Sequence, residues 1–199
     1  MNHRPGGVRP PRIVAGRFRG RPLHFPSGVE LRPTAENVRE SLFNSLAYDL
    51  PGARFADLFA GTGAVGLEAL SRGAAHVTFL EKNPRCLEAL RTSVENLGVA
   101  DQVTLVAGDV LTNWPRVTAT GGQFDIVFAD PPYAWDHWEP LLDLLLARGW
   151  GVAPDGLVIL EHSRRQPPAP PLEPVRTKTF GETQLSWFEI APPAEEATP

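Results

Sequence analysis

Cysteine is nearly absent from this sequence. Cys86 stands alone among 199 residues, so no disulfide can close within the chain and a cysteine-based metal site lacks its ligands. The five histidines, His3, His24, His76, His137 and His162, never fall at a metal-ligand spacing such as HExxH, and they read as scattered polar side chains with no metal among them. A lone thiol fits a reducing, cytoplasmic compartment. No apolar run approaches the roughly eighteen residues that a membrane helix needs, and the arginine- and proline-rich N-terminus is not followed by the apolar stretch of a secretory leader. Neither a membrane span nor a signal peptide is expected. What is present, 42% hydrophobic and 21% charged residues, is the composition of a globular chain with room for one domain and one hydrophobic core.

The formal net charge of -4 conceals an asymmetry. Residues 1 to 41 hold eight arginines against three glutamates, whereas residues 42 to 199 hold eleven basic and twenty acidic groups. A basic arm on an acidic body points to a localised contact with a polyanion, although attraction to phosphate alone is non-specific. For residues 1 to 11 a disordered solubilising tail is the competing reading, since five of them are Pro or Gly. Between Arg12 and Leu23 that alternative weakens. Ile13, Val14, Phe18 and Leu23 are interleaved there with Arg12, Arg17, Arg19 and Arg21 and are able to pack. Residues 12 to 25 suggest a short hairpin turned at Gly16 or Gly20.

Beyond the arm, Pro33 to Tyr48 reads as a helix with Val38, Leu42 and Leu46 on one face. From residue 54 strands and helices alternate. Strands are expected at 54 to 61, 76 to 81, 102 to 109, 124 to 133 and 156 to 162, and helices at 64 to 73, from Pro84 to Gly98 with Asn83 as cap, and at 138 to 150. Strands separated by helices imply an α/β fold with a parallel sheet covered on both faces. Residues 175 to 181 and 184 to 190 form a final hairpin, antiparallel because its connection is short. Leu185, Trp187 and Phe188 are available to pack against the sheet, and the tail 191 to 199 is expected to be disordered. The organisation is therefore a disordered segment 1 to 11, a basic extension 12 to 50, a main domain 51 to 190 and the tail. No exposed periodic apolar surface calls for a partner copy, so a monomer is the default.

Two motifs carry chemistry. The first is DLFAGTGAVGLEAL, Asp57 to Leu70, in which a strand runs into Gly61-Thr62-Gly63 and a helix follows. Glycines there allow a tight turn and close approach of a ligand to the backbone. Glu81 closes the next strand, and a carboxylate at that place accepts both hydroxyls of a ribose. NAD and S-adenosylmethionine both carry such a ribose, so the pair reports only a Rossmann-like adenosine site. Asp109, after the third strand, is either an acceptor for the adenine amino group or a helix cap. Asp57 either reaches the ammonium of a methionine moiety or orients the glycine loop from behind.

The second motif is Asp130-Pro131-Pro132-Tyr133, at the end of a strand expected to lie centrally, where open α/β sheets bind ligands. Two prolines give up two backbone donors and leave carbonyls outward. An exocyclic amine needs such acceptors, because its lone pair is delocalised into the ring. Asp130 and the Pro131 carbonyl each accept one N–H, Tyr133 stacks on the base, and attack on a sulfonium methyl is an in-line displacement needing no metal. A proline-stiffened loop with an aspartate cap is the plainer alternative, and it loses ground once the glycine loop and Glu81 accompany it.

With these residues in view, the chain resembles the bacterial small-subunit rRNA guanine-N2 methyltransferases of the RsmD family, within the Rossmann-like (class I) methyltransferases that carry a (D/N)PP(Y/F) motif. The resemblance rests on RIVAGRFRGRPL (12 to 23), LRPTAENVRESLFNSL (31 to 46), DLFAGTGAVGLEALSRGA (57 to 74), FLEKN (79 to 83), FDIVFADPPY (124 to 133) and KTFGETQLSWFEI (178 to 190). It implies S-adenosylmethionine as cofactor and a seven-stranded, mostly parallel sheet with a small N-terminal extension. It also implies methylation of the 2-amino group of a guanine in 16S rRNA, guanine 966, on the assembled or assembling small subunit. Asp130, Pro131, Pro132 and Tyr133 would serve the target amine. The expected cofactor set is Asp57, Phe59, Ala60, Gly61, Thr62, Gly63, Glu81, Asn83, Asp109 and Asp130. Arg12, Arg17, Arg19 and Arg21, with Arg32, Thr34 and Arg39 near the junction to the core, would meet RNA phosphates or close over the base, although Arg39 with Glu36 or Glu40 would equally serve as a structural ion pair.

The rivals are adenine-N6 or glutamine-amide methylation by the same chemistry, since DPPY suits any planar nitrogen, and a non-catalytic RNA-binding assembly factor on an old cofactor fold. Trp135 and Trp138 flank the acceptor loop, either to touch substrate or to anchor the loop.

Overall fold

The computed structural model describes residues 10–26, 35–132, 135–147 and 150–190. Seven strands form one sheet: β1 (Arg54–Asp57), β2 (His76–Glu81), β3 (Val103–Ala107), β4 (Phe124–Ala129), β5 (Val152–Ser163), β6 (Arg176–Phe180) and β7 (Thr183–Glu189). Their spatial order is β3-β2-β1-β4-β5-β7-β6. β1 to β5 are mutually parallel, and β7 runs against both neighbours. The order reverses between β1 and β4, which opens a crevice above the carboxyl ends of those strands.

The helices are α1 (Glu36–Ser45), α2 (Ala64–Ser71), α3 (Pro84–Leu97), α4 (Val110–Gly121) and α5 (Trp138–Leu142), the last continuing into a π-helical turn at Asp143–Ala147. One core cluster joins α1, α2 and α3 to the sheet face carrying Phe55, Phe79, Ile126, Phe128 and Ile159. The other joins α4 and α5 to the face carrying Ala56, Leu80, Val127, Val158 and Leu160. Alternation along each strand produces this split, since successive side chains point to opposite faces.

Local chemistry sets the boundaries. Asn83 accepts a hydrogen bond from the Arg85 N–H at the start of α3, Pro84 occupies the first helical position, and Gly98 ends the helix in the left-handed conformation. The expected core stripe of α3, Leu87, Leu90, Val94 and Leu97, is buried. α2 is buried along its whole length. A Cβ at Gly66 would lie 2.2 Å from the Phe79 ring, so only glycine lets this helix approach β2.

Four differences from the sequence reading have physical causes. The long first strand stops at Asp57 because the glycine turn begins there. The helix α4 was not expected at all, since Pro115 lies inside it. Proline removes one helical hydrogen bond, but the element is held by the Asp109 cap and by Trp114, fully buried with its Nε1–H donating to the Trp150 carbonyl at 2.9 Å. The expected 138 to 150 helix is α only as far as Leu142, then π. β5 begins earlier than expected, at Val152, with a register irregularity between Phe124 and Ile126 of β4. Of the segments 1–11 and 191–199, expected to be disordered, residues 1–9 and 191–199 lie outside the described residues, whereas Pro11 is buried and its carbonyl accepts from the Leu23 N–H at 2.9 Å.

The N-terminal hairpin closes through a bridge between Arg12 and Pro22, with both Gly16 and Gly20 at positive φ. Its apolar residues Ile13 and Leu23 are buried in the same cluster as α1 and α2. The hairpin is fastened by Glu68 of α2, itself wholly buried. Glu68 accepts from the Val14 N–H (2.6 Å), the Ala15 N–H (2.9 Å) and Arg72 Nε (2.7 Å). Ser71 adds a second clasp: its hydroxyl accepts from the Phe18 N–H and donates to the Ala15 carbonyl. A Cβ on Gly16 would sit 1.9 Å from the Ser71 carbonyl oxygen, so that turn must be glycine.

Candidate active site

The carboxyl ends of β1, β2, β4 and β5 bring together the residues with chemical potential. After β1 the chain turns through Gly61 (φ 52°) and Gly63 (φ 75°) into α2. The two glycines serve different ends. A Cβ on Gly63 would meet Leu90 Cδ1 at 2.3 Å, whereas nothing lies within 4 Å of one on Gly61. Gly63 is therefore required by packing, and Gly61 presents an open backbone face.

Glu81 organises this loop. Its Oε2 accepts from the Gly61 N–H and its Oε1 from the Asn83 N–H, both at 2.6 Å. A carboxylate has about four acceptor sites, so capacity remains for two ribose hydroxyls. The open face of Gly61 beside a half-buried carboxylate fits the adenosyl portion of S-adenosylmethionine. Asn83, placed in the cofactor set from sequence, spends its side chain on the α3 cap. Asp109 likewise acts as a cap, accepting from the Leu111 N–H at 3.0 Å, and pairs with Lys82 at 3.2 Å on an exposed surface. The cap among its two readings is present in the structure. Asp57 is buried and accepts from the Gly66 N–H at 3.0 Å, holding α2 and the loop from behind.

Asp57, Asp130 and Glu161 lie on neighbouring strands and on one sheet face. Asp57 pairs with Phe128, and Ala129 pairs with Leu160, which sets Asp130 beside Glu161. Burial pushes the Asp57 carboxyl up to about 7, against the Gly66 N–H and with help from the negative charges of Asp130 and Glu81. Burial and then Asp130 push Glu161 up to about 9. On the opposite face His162 is buried, contacts Ser186 Oγ through Nε2 at 2.9 Å, and is held below its usual pKa by burial, the Ser163 carbonyl opposing.

The acceptor loop leaves β4 at Asp130. Pro131 is buried and Pro132 exposed. The Pro132 carbonyl accepts from the Trp135 N–H at 2.8 Å, so the acceptor-rich floor expected from two prolines narrows to the Pro131 carbonyl. Trp135 packs edge-on against Phe59 of the glycine loop (5.2 Å between centroids) and against Trp138, which in turn meets His162. Both tryptophans are half-buried against the second core cluster and anchor the loop. Tyr133, expected to stack on the base, lies outside the described residues, as do Arg32 and Thr34.

Among the described residues the arginines of the basic arm are not gathered at this site. Arg12, Arg17, Arg19 and Arg21 are exposed, but their hairpin docks on Ser71 at the end of α2, and Arg17 and Arg21 donate to Gln102 Oε1 and the Asn96 carbonyl, just before β3 and in the last turn of α3. Parallel topology puts all of these at the amino edge of the sheet, opposite Asp130. Arg39 corrects the expectation of an RNA-facing side chain: it is only 1% exposed and donates to the Arg12 carbonyl at 2.7 Å, in the field of Glu68 and Glu36. The sequence reading also overlooked Glu68 and Glu161. Their one visible mark was an acidic residue within an otherwise apolar run.

Among the described residues no group of three or more His, Cys, Asp or Glu could hold a metal, and no helix is long and apolar enough to cross a membrane.

Comparison with known proteins agrees with this geometry. Residues 11–189 match the family model described as "Conserved hypothetical protein 95". The chain is 41% identical over 154 residues to "Ribosomal RNA small subunit methyltransferase D" of Escherichia coli K12, covering 75% of this chain and 73% of that one. It is 34% identical over 156 residues to the protein of the same name in Haemophilus influenzae, covering 78% and 80%. A solved structure described as "Putative methyltransferase yhhF from Escherichia coli" superposes with a TM-score of 0.77 at 34% identity, over 90% of this chain and 97% of the other. Sheet order, the glycine loop with its carboxylate and these matches agree: the chain belongs to the RsmD-like family of S-adenosylmethionine-dependent methyltransferases.

Proposed function

We propose that this chain methylates the exocyclic 2-amino group of a guanine in 16S rRNA, guanine 966, within the assembled or assembling small subunit, and that it does so as a cytoplasmic monomer. The observation that carries the reading is Asp130 followed by buried Pro131 at the carboxyl end of β4, the strand next to the one that feeds the glycine loop. The name of the Escherichia coli and Haemophilus influenzae relatives, ribosomal RNA small subunit methyltransferase D, supports the class of substrate.

Gly61 to Gly63 and Glu81 would hold the cofactor, with Phe59 and Ala60 on the same turn. When bound, S-adenosylmethionine supplies a methyl group on a positively charged sulfur. The chain's own work is on the acceptor. Asp130 and the Pro131 carbonyl each take one N–H of the amine, which fixes the nitrogen and directs its lone pair; Tyr133 stacks on the ring. Alignment of this kind removes much of the entropic barrier, and acceptors preset for a nitrogen gaining positive charge lower the rest. Asp130 or solvent takes the proton that the amine loses. The neighbouring carboxylates Asp130 and Glu81 make the crevice negative, which favours a cationic cofactor. Residues 51 to 190 form the methyltransferase domain in this reading, and residues 12 to 50 an extension whose exposed Arg12, Arg17, Arg19 and Arg21 meet RNA phosphates away from the target base.

The test is transfer of labelled methyl from S-adenosylmethionine to free 16S rRNA, to small subunits lacking the modification and to total ribosomal protein, followed by nucleoside identification. N2-methylguanosine in the subunits, mapped to position 966, is the expected result. Label in adenosine or in protein would replace the acceptor, and cofactor binding without transfer to any substrate would point to an assembly factor.

A further inference from the structure

Glu161 takes no part in the chemistry described so far, yet it is placed where that chemistry occurs. It lies at the carboxyl end of β5, one strand from Asp130, on the same sheet face as Asp130 and Asp57. Only 9% of it is exposed, and its Oε2 is buried without a hydrogen-bond partner. Buried polar atoms are nearly always paired, so an unpaired one in a binding crevice calls for a reason.

Among the described residues no cation supplies it. Across the sheet Glu161 pairs with Leu185 of β7, and Leu185 with Lys178 of β6, whose ammonium is committed to Ser41 Oγ on α1. On α1, Arg39 is turned to the Arg12 carbonyl, while Glu36 and Glu40 are exposed and carry the wrong sign. On α2, Glu68 is bound to the hairpin and Arg72. The charges facing Glu161 from the adjoining strands are those of Asp130 and, beyond it, Asp57. As a carboxylate, Glu161 is thus an acceptor among acceptors. As a carboxylic acid it has a donor, and Asp130 is the acceptor beside it. Two carboxyls side by side that share one proton titrate as a pair and carry a single charge.

We propose that Glu161 is a positioning residue of the acceptor site: as a carboxylic acid it donates a hydrogen bond to Asp130 and so fixes the one carboxylate that receives the target amine. The assignment rests on the reading of Asp130 as the amine acceptor. A hydrogen bond from Glu161 to one Asp130 oxygen restrains the rotation of the carboxylate that must hold the N–H. The paired state also limits the site to one charge there, and that charge stays on the residue that touches substrate.

The experiment compares wild type, Glu161→Gln and Glu161→Ala in the full chain. Glutamine keeps a donor at that place without a titratable proton; alanine keeps neither. On the substrate-free protein at pH 8, the infrared difference between wild type and Glu161→Gln should contain the C=O stretch of a protonated carboxyl, and this band should vanish as the pH passes about 9. In methyl transfer, Glu161→Gln should retain wild-type kcat within about threefold, and Glu161→Ala should lose roughly tenfold to a hundredfold, the loss of one hydrogen bond to a charged group. The wild-type rate should fall on the alkaline side, and that limb should be missing from Glu161→Gln. Absence of the protonated-carboxyl band, a glutamine variant as impaired as alanine, or an alkaline limb unchanged by glutamine would each overturn the proposal. The band is read without RNA, so it judges the proton's location even where methyl transfer to RNA fails and the reading of function falls with it.

Discussion

Two buried glutamates in this molecule are handled in opposite ways. Glu68, where the N-terminal hairpin meets α2, is fully enclosed and receives two backbone N–H groups and Arg72 Nε. Glu161, at the carboxyl edge, is almost as enclosed but has a carboxylate for a neighbour and an oxygen with no partner. Burial of a charge is expensive unless hydrogen bonds and an opposite charge compensate it. Glu68 is compensated and fastens two parts of the fold. Glu161 is not, and neither is Asp57, which has one N–H against the fields of two carboxylates. The difference separates a clasp from a candidate site: Glu68 is fully compensated, whereas Glu161 keeps an unpaired oxygen beside another carboxyl.

Substitution should expose that contrast, beginning with the largest effect. Asp130→Ala should lower methyl transfer by about 10²–10³ with a change in melting temperature far smaller than that of Glu68→Ala; a comparable loss of stability would mean that the carboxyl edge is a clasp as well. Glu68→Ala should do the reverse. Removing one partner of a buried pair costs about 3–5 kcal/mol, so denaturant unfolding should reveal severe destabilisation, with S-adenosylmethionine affinity retained in the fraction that folds. Glu81→Ala strips two N–H groups of their acceptor, and titration calorimetry should find cofactor binding weakened by about one to two orders of magnitude, at roughly 1.4 kcal/mol per tenfold.

A pH series separates the two ends without mutation. Asp57 and Glu161 have folded pKa values above those of the unfolded chain, so the stability tied to their protons is complete below about 4 and is lost as pH rises through about 7 and then about 9. Melting temperatures of the cofactor-free protein should therefore decline over that window, and Glu161→Gln should flatten its upper part. The smallest effect is expected at Asp109. If it is a helix cap and nothing more, Asp109→Ala costs about 1 kcal/mol and leaves cofactor affinity untouched; a large drop in affinity would restore the adenine contact that the sequence left open.

Much of the site was legible because its residues are local. A strand, a glycine turn and a helix in immediate succession fix where Gly61 and Gly63 stand, and strand ends locate Glu81 and Asp130. The role of Asp57 was not legible, since whether it faces a ligand or Gly66 depends on how α2 packs against the sheet. α4 was missed because Pro115 argues against a helix locally, while burial of Trp114 outweighs it in the fold. The arginines are the instructive case. Their charge is visible in the sequence, but Arg39 is spent inside and the hairpin docks at the amino edge, so the described arginines of the arm form no basic rim around Asp130.

The sequence by itself determined the alternating α/β architecture, the glycine loop with Glu81 at the end of the next strand and the Asp-Pro-Pro turn after β4, because periodicity, turn chemistry and short-range spacing are properties of neighbouring residues. Only the tertiary structure decided which acidic side chains are brought together. Asp57, Asp130 and Glu161 are far apart along the chain, and only strand pairing sets them on adjacent strands in a desolvated crevice where each one's proton depends on the next.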